Sequence, residues 1–390
     1  MRHLERLRQL EPLLAVGRDL WHPQPFCVLQ PEWCQRWPAL AAELLALPDA
    51  EAERLNDDGQ AARTLLARHW PEAAEIDPLL ELPEAPRHPL SALNAHWAWE
   101  IPGRKRSQIE AFAAAIRSVG VPVLDWCGGK GHLARLLALQ WQLPASTLEI
   151  NPALCADGEA LGWRAGVRHD FIHADALTAD LAPGRHAIAL HACGELHRTL
   201  LRRAADCAAL DIAPCCYHHG VASQYQPLSM HATLELTRDD LRLAVTETVT
   251  ASARQARTRD RDMAWKLGFD LLRRQLSGGG YRTFKPVPPA WMGLGFEAFC
   301  RLLAQREGLT IPPGIDFQQL ETAGRQRQRE VMRYSIVRHA FRRAIEIWLA
   351  LDMALNLEER GLEATLTTFC PRHLTPRNLL LSARVCQRQS

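Results

Sequence analysis

Two short runs concentrate imidazoles and thiols: His191-Ala-Cys193-Gly194-Glu-Leu-His197 and Pro214-Cys215-Cys216-Tyr217-His218-His219. Such groups can do three kinds of chemistry. An imidazole can take a proton from a hydroxyl or amine as it attacks an electrophile, and His218 is the preferred base, with His191 behind it. A thiolate can add covalently to a substrate, which makes Cys215 a further candidate, ranked below the histidines. Two Cys and two His can also close a tetrahedral zinc site. Adjacent Cys215 and Cys216 should diverge along an extended chain, and the spacing is not that of a zinc ribbon, so no metal is expected. Cys193, Cys216 and Cys127 read as small packing groups, with Cys127 turned to the core. His169 and His173 read as surface residues.

A second constellation is built for binding. Asp125-Trp-Cys-Gly128-Gly129-Lys-Gly131 lies between a predicted strand and a predicted helix. Glycines there let the backbone turn and approach a ligand, and the helix N-terminus offers free N–H groups. Glu149 follows at the end of the next predicted strand, where an acidic side chain can accept hydrogen bonds from both hydroxyls of a ribose. Asp175, in His173-Ala-Asp-Ala-Leu, is placed to meet an adenine amino group. A phosphate-binding Walker loop would need Gly-Lys-Ser/Thr, but Lys130 is followed by Gly131. A dinucleotide fold would begin Gly-x-Gly-x-x-Gly, whereas this loop starts from an Asp on the strand. The pattern favours S-adenosylmethionine over ATP or NAD.

The elements that must position these groups alternate. Strands are predicted at Val121–Asp125, Thr147–Ile150, Val167–His173, Ala187–Leu190 and Ala208–Ala213, with helices between them at Ile109–Val119 and along the Leu133, Leu136, Leu137, Trp141 stripe. Ala364–Phe369 and Asn378–Ser382 read as two further strands, an antiparallel pair at the sheet edge. The fold class is therefore α/β with a mainly parallel, Rossmann-like seven-stranded sheet. Residues 1–85 read as a helical N-terminal extension, closed by the proline-rich stretch of Pro78, Pro83, Pro86 and Pro89. The catalytic domain is expected over 100–390, with a mostly helical insertion at about 225–360.

These residues resemble the class I, Rossmann-like S-adenosylmethionine-dependent methyltransferases. The resemblance implies that Asp125, Gly128, Gly129 and Gly131 hold the methionine end of the cofactor, Glu149 the ribose and Asp175 the adenine, with His191 beside them. The two His/Cys runs, standing in this order, are similar to those of a methyltransferase-domain family that includes eukaryotic tRNA ribose 2′-O-methyltransferases and related methyltransferase-like proteins. Arg104-Lys105-x-x-Gln108 and Thr375-Pro-Arg-Asn378 extend that likeness. It implies an acceptor in tRNA or rRNA. Pro214-Cys215 also resembles the Pro-Cys of cytosine-5 methyltransferases, but its flanks do not. Small-molecule or protein methylation, and a non-catalytic cofactor-binding interaction module, are the alternatives.

Composition adds little to the RNA case. The net charge is only +2 over 390 residues. Arginines cluster at Arg254, Arg257, Arg259 and Arg261 and again at Arg325, Arg327 and Arg329, but Asp260, Asp262 and Glu330 interleave with them, which favours a paired solvated face. Tyr281, Phe284 and Trp291 near Gly278-Gly-Gly280 offer base-stacking surfaces or a lid. The N-terminus has no apolar signal segment, no apolar run is long enough for a membrane span, and the eleven cysteines lack disulfide-like spacing, so a cytoplasmic protein is expected. No oligomeric state follows from the sequence.

Overall fold

The computed structural model describes residues 2–180, 182–247 and 253–385. Seven strands form one sheet: β1 (Val123–Trp126), β2 (Ala145–Glu149), β3 (His169–His173), β4 (His186–Cys193), β5 (Ala209–Cys215), β6 (Leu362–Thr368) and β7 (Leu379–Val385). Their order is β3-β2-β1-β4-β5-β7-β6. β1 to β5 run parallel, and β7 enters antiparallel between β5 and β6. All seven predicted strands are present. The order reverses at β1, where chain direction leaves a crevice beyond the carboxyl ends of β1 and β4, the usual ligand position in open α/β sheets.

Local sequence explains the alternation. β1, β2 and β5 are buried along their whole length, as strands covered by helices on both faces must be. The helix His132–Trp141 buries Leu133, Leu136 and Leu137 against Val123, Ile188 and Phe112. The helix Pro152–Ala165 opens on Asn151, whose side chain accepts from the Ala153 N–H, and on Pro152; it closes at Gly166 in the left-handed region. The helix before β1 spans Gly103–Ala115, earlier than the predicted Ile109–Val119. On β5, buried Asp211 is held by His186 at 2.6 Å and Arg384 at 2.8 Å. Removing either partner would cost this buried carboxylate one of its two side-chain hydrogen bonds.

The chain forms two compact units. One comprises 1–15, 76–249 and 342–390, the other 16–75 and 250–341. These limits differ from the expected ones at 85, 225 and 360. Residues 225–247 and the helix Arg342–Glu359 belong to the sheet unit: Ile345, Trp348, Leu351 and Leu355 are buried there, and Asp352 accepts from the Tyr225 hydroxyl and the Leu228 and Ser229 N–H groups. The first helix joins the same unit, with Glu11 accepting from the Trp348 indole at 2.8 Å. The second unit is helical and interleaves the N-terminal stretch with the insertion: Asn56 donates to the Met332 carbonyl and Arg63 to that of Ala340. Helical periodicity marks each segment as amphipathic but not which distant segment covers it, so composition breaks alone do not give these boundaries.

Candidate active site

The glycine loop wraps around a buried carboxylate. Asp125 is 2% exposed; one oxygen accepts from the Ala134 N–H in the first turn of the following helix at 3.4 Å. Burial pushes its pKa up to about 7. Gly128 lies directly over this carboxylate: a Cβ there would sit 2.3 Å from an Asp125 oxygen. A Cβ at Gly131 would meet the His169 ring at 2.2 Å and the Thr147 hydroxyl at 2.6 Å. His169 is thus buried beneath the loop, hydrogen-bonded to the Thr147 hydroxyl at 2.8 Å, and burial lowers it to about 4. It is not the surface residue expected, because strand β3 alternates and His169 takes the inward position.

Glu149 links the loop to the second strand. One of its oxygens accepts from the Gly129 N–H at 3.1 Å and the other from the Asn151 N–H at 2.9 Å. Each carboxylate oxygen retains acceptor capacity for a ligand hydroxyl. Asp175 is half-buried and accepts from the Leu177 N–H at 2.9 Å. Two apolar side chains flank these acids without being covered: Ile150, 61% exposed, and Leu177, 46% exposed. The sequence reading missed both; the signal was an apolar residue immediately after Glu149 and another two after Asp175. Cys127 does not face the core. It stands at φ +57°, half-buried, and the nearby carboxylates of Glu149, Asp125 and Asp175 help burial push its thiol up to about 12.

The two His/Cys runs interlock. Cys193 pairs with Cys215 in register, past an irregularity after Leu190. The Gly194 N–H donates to the Cys215 carbonyl at 3.1 Å, and the Glu195 N–H to that of His219 at 3.0 Å. A Cβ at Gly194 would sit 2.1 Å from the His219 carbonyl oxygen, and Gly194 also has φ +54°. His191 and Cys216 are at φ +64° and +44°. Non-glycine residues held there are strained, and such strain gathers at functional sites. Here it occurs at the carboxyl ends of three neighbouring strands: just after β1 at Cys127, within the irregular end of β4 at His191, and just after β5 at Cys216.

The turn at Cys216 overturns one expectation. Cys215 and Cys216 do not diverge: the sulfurs of Cys193, Cys215 and Cys216 all lie within 4.8 Å of one another, with 3.3 Å between Cys193 and Cys215. Hydrogen bonding with Cys215 lowers Cys216 toward the thiolate, whereas Cys215 itself is raised by its hydrogen bonds with Cys193 and Cys216. His191 is nearly buried, its Nδ1 lacks a hydrogen-bond partner, and burial with the Arg377 charge lowers it to about 4. His218 is half-buried, its Nδ1 is likewise unpartnered, and burial lowers its pKa. His197 has a structural role, with Nδ1 on the Ala192 carbonyl at 3.0 Å.

The outer motifs brace the site. Arg104 and Gln108 both donate to the Leu374 carbonyl at 3.0 Å, and Asn378 donates to that of Cys370 at 2.8 Å. Arg377 donates to the Val245 carbonyl and stands near His191 and Cys216. Three carboxylates around a close-packed glycine loop, with uncovered aliphatic side chains beside the last two, fit a ligand carrying an amino group, a ribose and an adenine.

Residues 104–224 match the model of a methyltransferase-domain family. No curated protein matches the chain significantly. Similar solved structures include a putative sarcosine dimethylglycine methyltransferase from Galdieria sulphuraria, 14% identical over 28% of this chain and 42% of that one at a TM-score of 0.23. The glycopeptide N-methyltransferase MtfA in complex with S-adenosyl-L-methionine is 16% identical over 36% and 68%, at 0.24. An rRNA methylase from Streptococcus thermophilus is 14% identical over 35% and 93%, at 0.24. The chain thus spans 42% of the first of these, and overall superposition is poor in all three. The matched segment carries the glycine loop, the acids and both His/Cys runs on a sheet of this order; residues 104–224 are thus identified as a methyltransferase domain.

Proposed function

We propose that this chain methylates RNA, with Asp125, Glu149 and Asp175 holding the cofactor and His218 serving as the base. S-adenosylmethionine, when bound, supplies an electrophilic methyl group for in-line attack by an acceptor atom. The task left to the protein is alignment and proton removal. His218 suits the second role because its lowered pKa keeps the ring neutral near pH 7 and able to accept a proton. His191 stands behind it. Cys215 suits nucleophilic attack poorly, since its thiol is held protonated.

The observation that carries the RNA acceptor is a cavity of about 530 Å³ in the helical unit. It is lined by Arg257, Arg261, Arg325 and Arg329 against a single acid, Asp260. Arg261 also lies over the Trp265 ring, and Arg325 is paired with Glu321 at 2.7 Å. The side chain of Arg254, from the same basic stretch, lies outside the described residues. Four guanidinium groups around one cavity match a phosphate backbone better than a neutral metabolite. Tyr281 and Phe284 do not support stacking, since both pack edge-on against Phe26. The balanced charge of +2 favours a second reading, a small-molecule or protein acceptor.

The test is transfer of tritiated methyl from S-adenosylmethionine to total RNA and, separately, to protein and small-molecule fractions. RNase-sensitive label supports the proposal. Label confined to the other fractions overturns it in favour of the second reading.

A further inference from the structure

We propose that Cys193, Cys215 and Cys216 form a zinc site at the carboxyl edge of β4 and β5. The three sulfurs lie within 4.8 Å of one another. In a tetrahedral shell with sulfur about 2.3 Å from zinc, the sulfurs stand roughly 3.8 Å apart. The 3.3 Å between Cys193 and Cys215 needs an adjustment of a few tenths of an ångström. None of the three is in a disulfide.

The backbone is shaped to bring them together. Consecutive residues in a strand point to opposite faces, so two neighbouring cysteines share a side only if the strand ends between them. Cys216, at φ +44°, ends it there. On the other strand, the irregularity between Leu190 and Cys193 brings Cys193 level with Cys215. A purely packing role for three small thiols does not call for backbone strain of this kind.

The donor set selects the ion. Three sulfurs with no carboxylate among them suit a soft or borderline cation and disfavour magnesium or calcium. Arg377, whose charge acts on both Cys216 and His191, offsets the negative charge of a thiolate cluster. Among the described residues, no fourth His, Cys, Asp or Glu ligand atom completes the group. Three protein ligands and an open fourth position are the pattern of a zinc ion that takes water or a donor atom from another molecule. The unpartnered Nδ1 atoms belong to His191, two residues before Cys193 in β4, and His218, two residues after Cys216, where they can orient that fourth ligand.

The test uses the full chain, reduced and freed of metal, then titrated with Zn²⁺ and separately with Co²⁺. One zinc per chain is expected by mass spectrometry, together with the thiolate-to-cobalt charge-transfer absorption of a tetrahedral site. Cys193→Ser and Cys216→Ser should each abolish one-to-one uptake, while Cys27→Ser should keep it. If a site variant fails to fold, alkylation of the wild-type chain with iodoacetamide decides: zinc should protect Cys193, Cys215 and Cys216 selectively. No stoichiometric uptake by reduced wild type, equal uptake by the folded site variants, or no selective protection overturns the proposal. The metal readouts need no methyl acceptor, so they stand or fall independently of the RNA assignment.

Discussion

At the scale of single residues, the buried carboxylate of Asp125 makes the sharpest prediction. With its pKa raised to about 7, the unliganded protein holds it largely protonated at pH 6 and ionised at pH 8. A cofactor amino group prefers the carboxylate, so affinity for S-adenosylhomocysteine should climb from pH 6 to 8, by up to about tenfold per unit below pH 7. Calorimetry across that range checks this, and Asp125→Asn should flatten the profile. Neighbouring imidazoles do not confuse the readout: burial holds His132 down to about 3 and His169 and His191 to about 4. Linkage gives the opposite sign for the unliganded fold. A carboxyl raised above its usual range stabilises the fold at low pH, and that contribution is lost as pH rises toward 7. Glu149→Ala should weaken cofactor binding by at least about tenfold, since it removes ligand hydrogen bonds to a charged group and frees the Gly129 and Asn151 amides. Unchanged affinity in a folded variant would remove the ribose assignment. His218→Ala should lower kcat roughly 100-fold or more and leave cofactor affinity intact; wild-type turnover would dismiss it as the base.

At the scale of elements, what matters is how closely loops approach one another. Gly128 has no room for a side chain because the Asp125 carboxylate fills the space at 2.3 Å. Gly128→Ala must displace either the loop or the carboxylate, at a cost of about 1–3 kcal/mol. The expected outcome is a lower Tm together with lost cofactor binding, whereas Ala at Gly103, which meets nothing within 4 Å, should leave binding unchanged. A cofactor affinity equal to wild type in Gly128→Ala would mean that the loop does not carry the ligand. The same principle ties the two His/Cys runs together: Gly194 lets the loop after β4 rest on the His219 carbonyl of the loop after β5. Each run is therefore partly a fitting for the other.

At the scale of the whole molecule, the catalytic sheet and the arginine-lined cavity belong to different units. That separation makes binding of acceptor and cofactor independently testable. If the cavity tracks phosphates, Arg257→Glu combined with Arg329→Glu should raise KM for RNA and flatten its salt dependence while leaving S-adenosylmethionine affinity unchanged. An unchanged KM would return the arginines to the role of a solvated face.

Much of this was written in local sequence. The strand–loop–helix at Asp125 to Trp141 and the acid at the end of the next strand are short-range patterns, legible because a buried parallel strand is a compact apolar run and a tight turn needs glycine. The strand count followed from them. What only tertiary structure decided depends on partners far apart in the chain. Glu149 binds an amide 20 residues upstream. His169 is buried because Gly131 and Thr147 come to lie on it. Arg377, 186 positions beyond His191, reaches that ring's surroundings. The three thiols meet because one left-handed residue ends a strand, a backbone choice that side-chain identity did not announce. The division into units was hidden for the same reason: an amphipathic helix states that it needs a cover, and folding of the whole chain determines which segment supplies it.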